Sequence, residues 1–293
     1  MSVDRVLPEG YQFTQQSQLD NRQLTDVKRL SKHCHRYDKY LPEMHWMLLS
    51  SASKFPGTFL IYHQKKLTAF LRIFFFFTGE VEIVLLVDPK SRRQGLARHL
   101  VFQAQQVLKS ENIKALRFSL KDKQQHWLAQ HQANYRYTDF FLRHALKKIQ
   151  PARHEMSFAN EKHINDILLL DKLCFKESNL GEAHLKELLT GNAYDICIIT
   201  LEDKVIAKLH LHYGDKTSVI YDVATHPEHR GQGYAGALLN HALKLSKRKK
   251  MTDVTLDVTS TNLDALTVYQ NVGFEMYEQK HYWGIALKDA LTI

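Results

Sequence analysis

The chain has 293 residues and a formal net charge of +9, with 44% hydrophobic and 24% charged residues; that length suits two domains, each able to bury its own core. Its three cysteines, Cys34, Cys174 and Cys197, exclude a disulfide framework, and its longest apolar stretch, residues 73–77, is far too short to span a bilayer. No charged start followed by an apolar core opens the sequence, so no secretory signal is expected and the cytoplasm is the expected compartment.

In chain order, apolar spacing predicts helices over residues 19–33 and 42–51. The triplet His33-Cys34-His35 lacks metal-site spacing and reads as a helix surface. Strands follow near 58–63, 67–76 and 81–88. The run Phe74-Phe75-Phe76-Phe77 reads as a strand buried on both faces or packed between domains. A helix over 96–109 leads to a strand at 113–120, a helix near 124–132 and strands to about 146. Residues 147–153, with Pro151, read as a linker. The second half predicts the same order: helices over 160–174 and 182–190, then strands at 195–200, 205–213 and 218–225. A helix over 234–249, a strand at 253–259, a helix over 263–271 and strands to about 287 complete it. Two α/β domains with mixed sheets are expected, residues 1–149 and 150–293.

The halves share a motif. Arg92-Arg93-Gln94-Gly95-Leu96-Ala97 recurs as Arg230-Gly231-Gln232-Gly233-Tyr234-Ala235 (230 − 92 = 138). The same offset carries Lys66 onto Lys204, Ala69 onto Ala207, Leu71 onto Leu209, Val81 onto Val219 and Pro89 onto Pro227. A motif that repeats with its upstream strands implies a duplicated domain built around one kind of anion-binding turn. Pro227 has no amide hydrogen for a ladder and stops the strand. Gly231 and Gly233 permit a tight turn and close approach of a ligand. The first amides of the following helix lack intrahelical partners and carry the positive end of its dipole, and Arg230 adds a charge beside them. The loop is too short for a P-loop and lacks its Lys-Ser/Thr ending, as it lacks the GxGxxG spacing of dinucleotide folds. A diphosphate cofactor of another geometry is expected.

Both turns resemble the signature of the GNAT superfamily of acyl-CoA-dependent N-acyltransferases, Arg/Gln-x-x-Gly-x-Gly/Ala after the fourth strand, through Arg92, Gly95 and Ala97 and through Arg230, Gly233 and Ala235. Downstream, Asn262, Ala265, Tyr269, Gly273 and Phe274 are similar to the family's Asn-x-x-Ala-x-x-x-Tyr-x-x-x-Gly-Phe segment. The resemblance covers nearly the whole chain as a tandem pair of GNAT domains and implies acetyl-CoA as cofactor. It implies a pyrophosphate seat at Arg230, Gly231, Gln232, Gly233, Tyr234 and Ala235, and a second at Arg92, Arg93, Gln94, Gly95, Leu96 and Ala97. Val223, Ala224 and Thr225, ending the fourth strand, would line the cofactor and supply a backbone amide to the oxyanion. Asn262 would contact the pantetheine amides, although a helix cap explains an asparagine there equally well. Tyr269 falls where many relatives place the tyrosine that protonates the leaving thiolate; the alternative is a core aromatic.

A free amine, with a pKa of roughly 10, is mostly protonated at neutral pH, so transfer needs a base. Asp257 lies in a strand that resembles the carboxylate-bearing strand of ribosomal-protein N-acetyltransferases. Asp222, on the fourth strand beside the thioester slot, is its competitor, and alternation puts it on the face of Ala224, opposite Val223. Either aspartate also reads as a surface residue or an anchor for the substrate amine.

The first copy departs from the pattern where chemistry is needed. With Asn134-Tyr135 in place of Gly273-Phe274, Gln130 takes the place of Tyr269 and Lys123 that of Asn262. Glu82 remains as a possible base. The expectation is a degenerate, cofactor-binding or structural first domain beside a catalytic second one. The chain is expected to act as a monomer or homodimer on an amine of a small molecule or protein, by direct transfer in a ternary complex. A sensor that binds acyl-CoA without turnover is one rival, and an acyltransferase drawn to nucleic acid by the net charge of +9 is another. The clearest basic cluster, Lys244, Lys247, Arg248, Lys249 and Lys250, suits the negative C-terminal end of a helix. Neither a nucleic-acid partner, a membrane nor a metal is expected.

Overall fold

The computed structural model describes residues 6–51, 55–120, 132–175 and 181–292. The chain forms two compact units, one of Met1–Thr138 with Lys280–Ile293, the other of Asp139–Gln279.

Unit 1 begins with β1 (Tyr11–Gln16), α1 (Asn21–Asp38) and a single turn, α2 (Trp46–Leu49). Strands β2 (Thr58–His63), β3 (Lys66–Phe77) and β4 (Glu80–Val87) follow, then α3 (Leu96–Leu108) and β5 (Ala115–Leu120). Asp20 and Gln23 start α1 with a reciprocal capping box. The sheet runs β1-β2-β3-β4-β5, and the final strand of the chain, β12 (Glu275–Ala286), lies against β5. Among the described residues of unit 1, β4 and β5 are the parallel neighbours, paired over Glu80–Glu82 and Ala115–Arg117; since β4 continues to Val87 and β5 to Leu120, the two strands then part. Alternation divides β3 between two cores: Ala69, Leu71 and Ile73 pack with α3, and Phe70 and Phe74 with α1.

Unit 2 repeats the plan. After β6 (Asn134–His144) come β7 (Ser157–Phe158), α4 (Ile164–Cys174), α5 (Glu182–Thr190), β8 (Tyr194–Leu201), β9 (Lys204–Tyr213) and β10 (Thr217–Thr225). Then follow α6 (Tyr234–Arg248), β11 (Asp253–Thr259) and α7 (Leu263–Val272). The strand order is β6-β11-β10-β9-β8-β7. β10 is again parallel to its neighbour β11, over Thr217–Val219 and Asp253–Thr255, and the strands part beyond it. Helices α6 and α7 cover one face, α4 and α5 the other.

The units do not divide at residues 149/150. Lys280–Ala286 of β12 closes the sheet of unit 1 against β5, and Asp139–His144 of β6 closes that of unit 2 against β11. Each half of the sequence therefore carries the strand that covers an open edge in the other half's sheet.

Several local expectations change. The helix expected over 42–51 shrinks to α2, because His45 takes a left-handed backbone, φ 46°. Strands β1 and β7 carry no alternation strong enough to have been foreseen. In the phenylalanine run Phe74 is buried, but Phe75 and Phe76 are 39% and 42% exposed, where the register of β3 with β4 breaks. Cys34 is not on the surface of α1; it is buried, its thiol 3.5 Å from the Val87 carbonyl. The helix expected near 124–132 lies outside the described residues. Lys247 and Arg248 do occupy the last turn of α6. No helix among the described residues is long and apolar enough to cross a membrane.

Candidate active site

The two glycine turns have one backbone. Gly231 and Gly233 have φ of 76° and 85°, and Arg93 and Gly95 repeat this at 62° and 79°. A Cβ on Gly231 or Gly95 would meet nothing within 4 Å, so conformation rather than crowding calls for glycine, and open space lies beside the chain. Arginine at position 93 adopts the same shape at a strain of about 1–2 kcal/mol. The first intrahelical bond of α6 runs from the Ala237 amide to the Gly233 carbonyl at 3.0 Å, and that of α3 from His99 to Gly95 at 2.9 Å. The amides before them have no acceptor within the helix, and neither helix has an acidic residue in its first turn. Each turn therefore leaves helix-start amides beside open space, a geometry that suits an anion.

The arginines that open the turns are anchored alike and paired differently. Arg230 Nε donates to the Thr225 carbonyl at 3.3 Å and Arg92 Nε to Val87 at 3.2 Å. A thiol joins each carbonyl, Cys174 at 3.4 Å and Cys34 at 3.5 Å. Arg92 then gives both terminal nitrogens to the Asp38 carboxylate, at 2.7 and 2.6 Å. Arg230 is exposed and makes no ion pair among the described residues. Its turn is braced instead by His154, whose Nε2 donates to the Gln232 carbonyl at 3.0 Å and whose ring stands 4.3 Å from that of Tyr234.

Strand β10 carries a bulge that β4 lacks. Tyr221 opposes His210 and Ala224 opposes Lys208, so Asp222 and Val223 together face one residue of β9. Asp222 takes φ 51°. Val223 packs with the core under α6 and α7, Ala224 with that under α4 and α5. Asp222 shares the face of Ala224, as alternation requires, but Tyr221 joins it there, which alternation forbids. Both approach His210: the Tyr221 ring lies edge-on at 5.2 Å, and Asp222 Oδ2 stands 3.7 Å from Nδ1. In β4 pairing runs unbroken from Glu82 to Val87, with Val84 in the place of Asp222.

Behind Asp222 the interior is polar. Lys208 Nζ lies 3.3 Å from His210 Nε2 and 2.7 Å from Asp171 Oδ1, and all three residues are buried. Burial, with the Lys208 and His184 charges adding to it, pushes the His210 pKa down to about 3. Burial also raises that of Asp171 against the pull of Lys208. The Tyr221 hydroxyl is held well above its ordinary value by burial, with Tyr194 and Asp222 nearby. None of Asp171, Lys208 or His210 was legible as a site residue, since they come from α4 and β9 and share no motif.

On α7, Asn262 is a helix cap: its Oδ1 accepts the Ala265 amide at 3.3 Å. Tyr269 is 7% exposed and packs edge-on against Phe274 at 6.3 Å. Burial, reinforced by the Asp257 charge, lifts its hydroxyl to about 12. Asp257 is exposed on β11, between Leu256 and Val258, which turn into the core.

Unit 1 offers a different pair. Glu82 is buried, and His45 Nε2 donates to its Oε1 at 2.9 Å. The His45 ring lies edge-on to Phe74 and Phe76, each at 4.7 Å. Phe70 and Arg72 stand where unit 2 has Lys208 and His210. Gln130 and Lys123 lie outside the described residues. His45 was missed because it sits in a stretch whose apolar spacing reads as helix.

Two copies of one sheet, each with the same glycine turn after a strand that parts from its parallel neighbour, define a duplicated fold. The model of the acetyltransferase (GNAT) family matches the chain twice, over residues 22–131 and 164–274, and the chain belongs to that family as a tandem pair. N-acetyltransferase 8B of Homo sapiens is 32% identical over 71 residues, 24% of this chain and 31% of that protein. The [ribosomal protein bS18]-alanine N-acetyltransferase of Escherichia coli (strain K12) is 26% identical over 101 residues, 33% of this chain and 59% of that protein. The chain thus spans less than two thirds of either relative. A GCN5-related N-acetyltransferase from Sphaerobacter thermophilus superposes with a TM-score of 0.76 at 14% identity, covering 96% of this chain and 97% of that one. A tandem GNAT protein from the clavulanic acid biosynthesis pathway does so at 0.67 and 14%, covering 94% and 98%. At that identity the two structures establish the fold alone.

Proposed function

We propose that the protein is an acetyl-CoA-dependent N-acetyltransferase that passes the acyl group directly to a primary amine of a small molecule or protein, with unit 2 catalytic and unit 1 a degenerate copy. The observation that carries this is the bulge in β10: one strand presents a carboxylate, an irregular register at Asp222 and Val223 and, five residues beyond its end at Thr225, the glycine turn.

The residues present fit coenzyme A. Arg230, Gly231, Gln232, Gly233, Tyr234 and Ala235 would hold the pyrophosphate on the open side of Gly231, and Val223, Ala224, Thr225 and Asn262 would line the remainder. Bound there, the thioester supplies an acyl carbon open to attack by an amine. The bulge takes Asp222 and Val223 out of register with β9, and a backbone N–H there would serve the developing oxyanion; such a donor is worth about 3–4 kcal/mol. Asp222 takes the amine proton as the N–C bond forms, while Asp257, exposed on β11, serves as its competitor or as an anchor for the amine. Tyr269 would give its hydroxyl proton to the sulfur, which would leave with the electron pair of the C–S bond. With its hydroxyl at about 12, Tyr269 keeps its proton at neutral pH. Transfer to an ordinary thiolate near 8.5 is uphill by about 5 kcal/mol, a gap that narrows because the same burial raises the thiol.

Unit 1 is read as degenerate because β4 has no bulge, Val84 replaces Asp222, and Asp38 neutralises Arg92. The setting that fits is cytoplasmic, as monomer or homodimer, without nucleic acid.

Calorimetry with acetyl-CoA on the full chain, followed by a transfer screen over polyamines, aminoglycosides, amino acids and N-terminal peptides, tests the reading. An alanine of a ribosomal protein is the acceptor in the E. coli relative's name, so alanine peptides come first. Binding without turnover on any amine would make the protein a sensor, and no binding would remove the cofactor assignment.

A further inference from the structure

The mechanism above leaves a buried line of polar groups unused. It runs from α4 to the bulge: Asp171 Oδ1 to Lys208 Nζ at 2.7 Å, Lys208 Nζ to His210 Nε2 at 3.3 Å, and His210 Nδ1 to Asp222 Oδ2 at 3.7 Å. The Lys208 and Asp171 side chains are 0% and 1% exposed, and that of Asp222 31%, so the line begins in the interior and ends at the surface of the site. An ion pair buried this deeply is weak evidence of stabilisation, since desolvation offsets its attraction. His210 Nδ1 is buried with no hydrogen-bond partner, and such orphans in a native structure call for a reason.

We propose that Lys208 and His210 are positioning residues for Asp222: the ammonium, held by Asp171, donates to His210 Nε2, so that the ring carries its proton on Nδ1 and presents it to the Asp222 carboxylate. The proposal rests on the reading of Asp222 as the group that takes the amine proton. An ammonium has three hydrogens to give and no lone pair, so the nitrogen facing it must accept. In a neutral ring the other nitrogen then bears the hydrogen. Burial keeps the ring neutral, the Lys208 and His184 charges adding to it. The groups around His210 are Lys208 on its own strand, Tyr221 and Asp222 on β10, and His184 on α5, with Asp171 on α4 behind Lys208. A separation of 3.7 Å is one small rotation short of a hydrogen bond, the looseness common in catalytic pairs before substrate binds. The line is confined to unit 2, where the bulge brings Asp222 onto this face; unit 1 has Phe70, Arg72 and Val84 instead.

The test uses the full chain labelled with 15N-histidine. Long-range 1H–15N correlation at about pH 7, with the His210 signals assigned from their loss in His210→Phe, is expected to show a neutral ring protonated on Nδ1. In the double variant Asp171→Leu/Lys208→Met, which removes both buried charges together, Nε2 is no longer held as an acceptor and the tautomer balance should shift toward Nε2–H, although Asp222 still favours Nδ1–H. A wild-type ring protonated on Nε2, or a tautomer unchanged in the double variant, overturns the proposal. A second arm follows release of the coenzyme A thiol from acetyl-CoA with water as acceptor, beside calorimetry of acetyl-CoA binding. His210→Phe should slow release about tenfold with affinity unchanged, and His210→Asn, whose amide nitrogen can stand where Nδ1 stands, should recover most of it. Equal rates in all three proteins would refute positioning. A wild type that binds acetyl-CoA and releases no thiol would overturn the enzymatic reading instead, leaving the tautomer result to decide this one.

Discussion

Tyr269 and the Asp171–Lys208 pair show how far burial alone sets the behaviour of a side chain in unit 2. With its hydroxyl at about 12, Tyr269 stays protonated through the whole working range. Tyr269→Phe should therefore lower kcat with acetyl-CoA affinity almost unchanged, the mark of an interaction made mainly in the transition state; full kcat where chemistry limits the rate would refute the role. For Asp171 and Lys208 the outcome is a stability cycle. Either single change leaves a buried charge alone and should cost about 3–5 kcal/mol, while Asp171→Leu/Lys208→Met together should fall close to wild type. Urea melts of the four proteins read this directly, and additive losses would show that the two groups are not coupled.

At the scale of elements, the exchange of β6 and β12 decides which pieces of the chain can stand alone. A fragment of residues 150–293 keeps β11 without its β6 neighbour and carries β12 without β5, so it exposes an open edge and a stray strand. A fragment of residues 139–279 matches the compact unit. The second should melt cooperatively by circular dichroism and the first should not. The opposite result would mean that Lys280–Ala286 contributes more to unit 2 than its pairing shows. Binding measurements on one half of the molecule should accordingly use residues 139–279.

For the whole molecule, the inequality of the two copies is the central expectation. The turns share φ values, but of Arg92 and Arg230 only Arg230 makes no ion pair among the described residues, and of β4 and β10 only β10 carries a bulge. Gly233→Asp puts a Cβ at φ 85° and a negative charge against the proposed phosphate seat, and should abolish both acetyl-CoA binding and turnover. Gly95→Asp should leave most kcat intact. Thermal melts must accompany both, since a residue strained at positive φ costs about 1–3 kcal/mol. A folded, inactive Gly95→Asp protein beside an active Gly233→Asp one would move catalysis to unit 1 and make Glu82, with His45, the leading base.

Acid should also separate the units. His144, His163 and His210, all in unit 2, have folded-state pKa values depressed chiefly by burial, His210 to about 3. The unfolded chain accepts protons near 6.5 that these rings refuse, so it binds more protons below that pH and stability falls as pH falls. His210 alone contributes a loss of about 1.4 kcal/mol per pH unit between roughly 6.5 and 3. In unit 1 the Asp88 carboxyl is held below its ordinary value: burial would raise it, and the Lys66 ammonium outweighs that. Its contribution is lost only at more acid pH, below roughly 3.8. Calorimetric scans from about pH 7 to 4.5 should show the unit 2 transition moving down first, and His210→Phe should flatten that dependence. A unit 1 transition that moved first would contradict it.

What the sequence determined by itself was local. Pro227, Gly231 and Gly233 carry their backbone preferences with them, so strand end, turn and helix start could be placed without knowledge of the rest, and a constant offset exposed the duplication. Strong periodicity likewise located Thr58–His63, Glu182–Thr190 and Asp253–Thr259 to the residue. The tertiary structure alone decided what depends on partners. A one-residue bulge at Asp222 changes which side chains share a face, yet Tyr221-Asp222-Val223-Ala224 reads as ordinary strand. Asp38 comes to Arg92 from α1, Asp171 to Lys208 from α4, and His45 to Glu82 from a stretch that reads as helix. The domain boundary moved because β5 and β11 each needed a neighbour, which the other half of the chain supplies. Dihedral preferences belong to a residue and its immediate neighbours; ion pairs, strand neighbours and desolvation belong to groups brought together by folding, and no spacing along the chain encodes them.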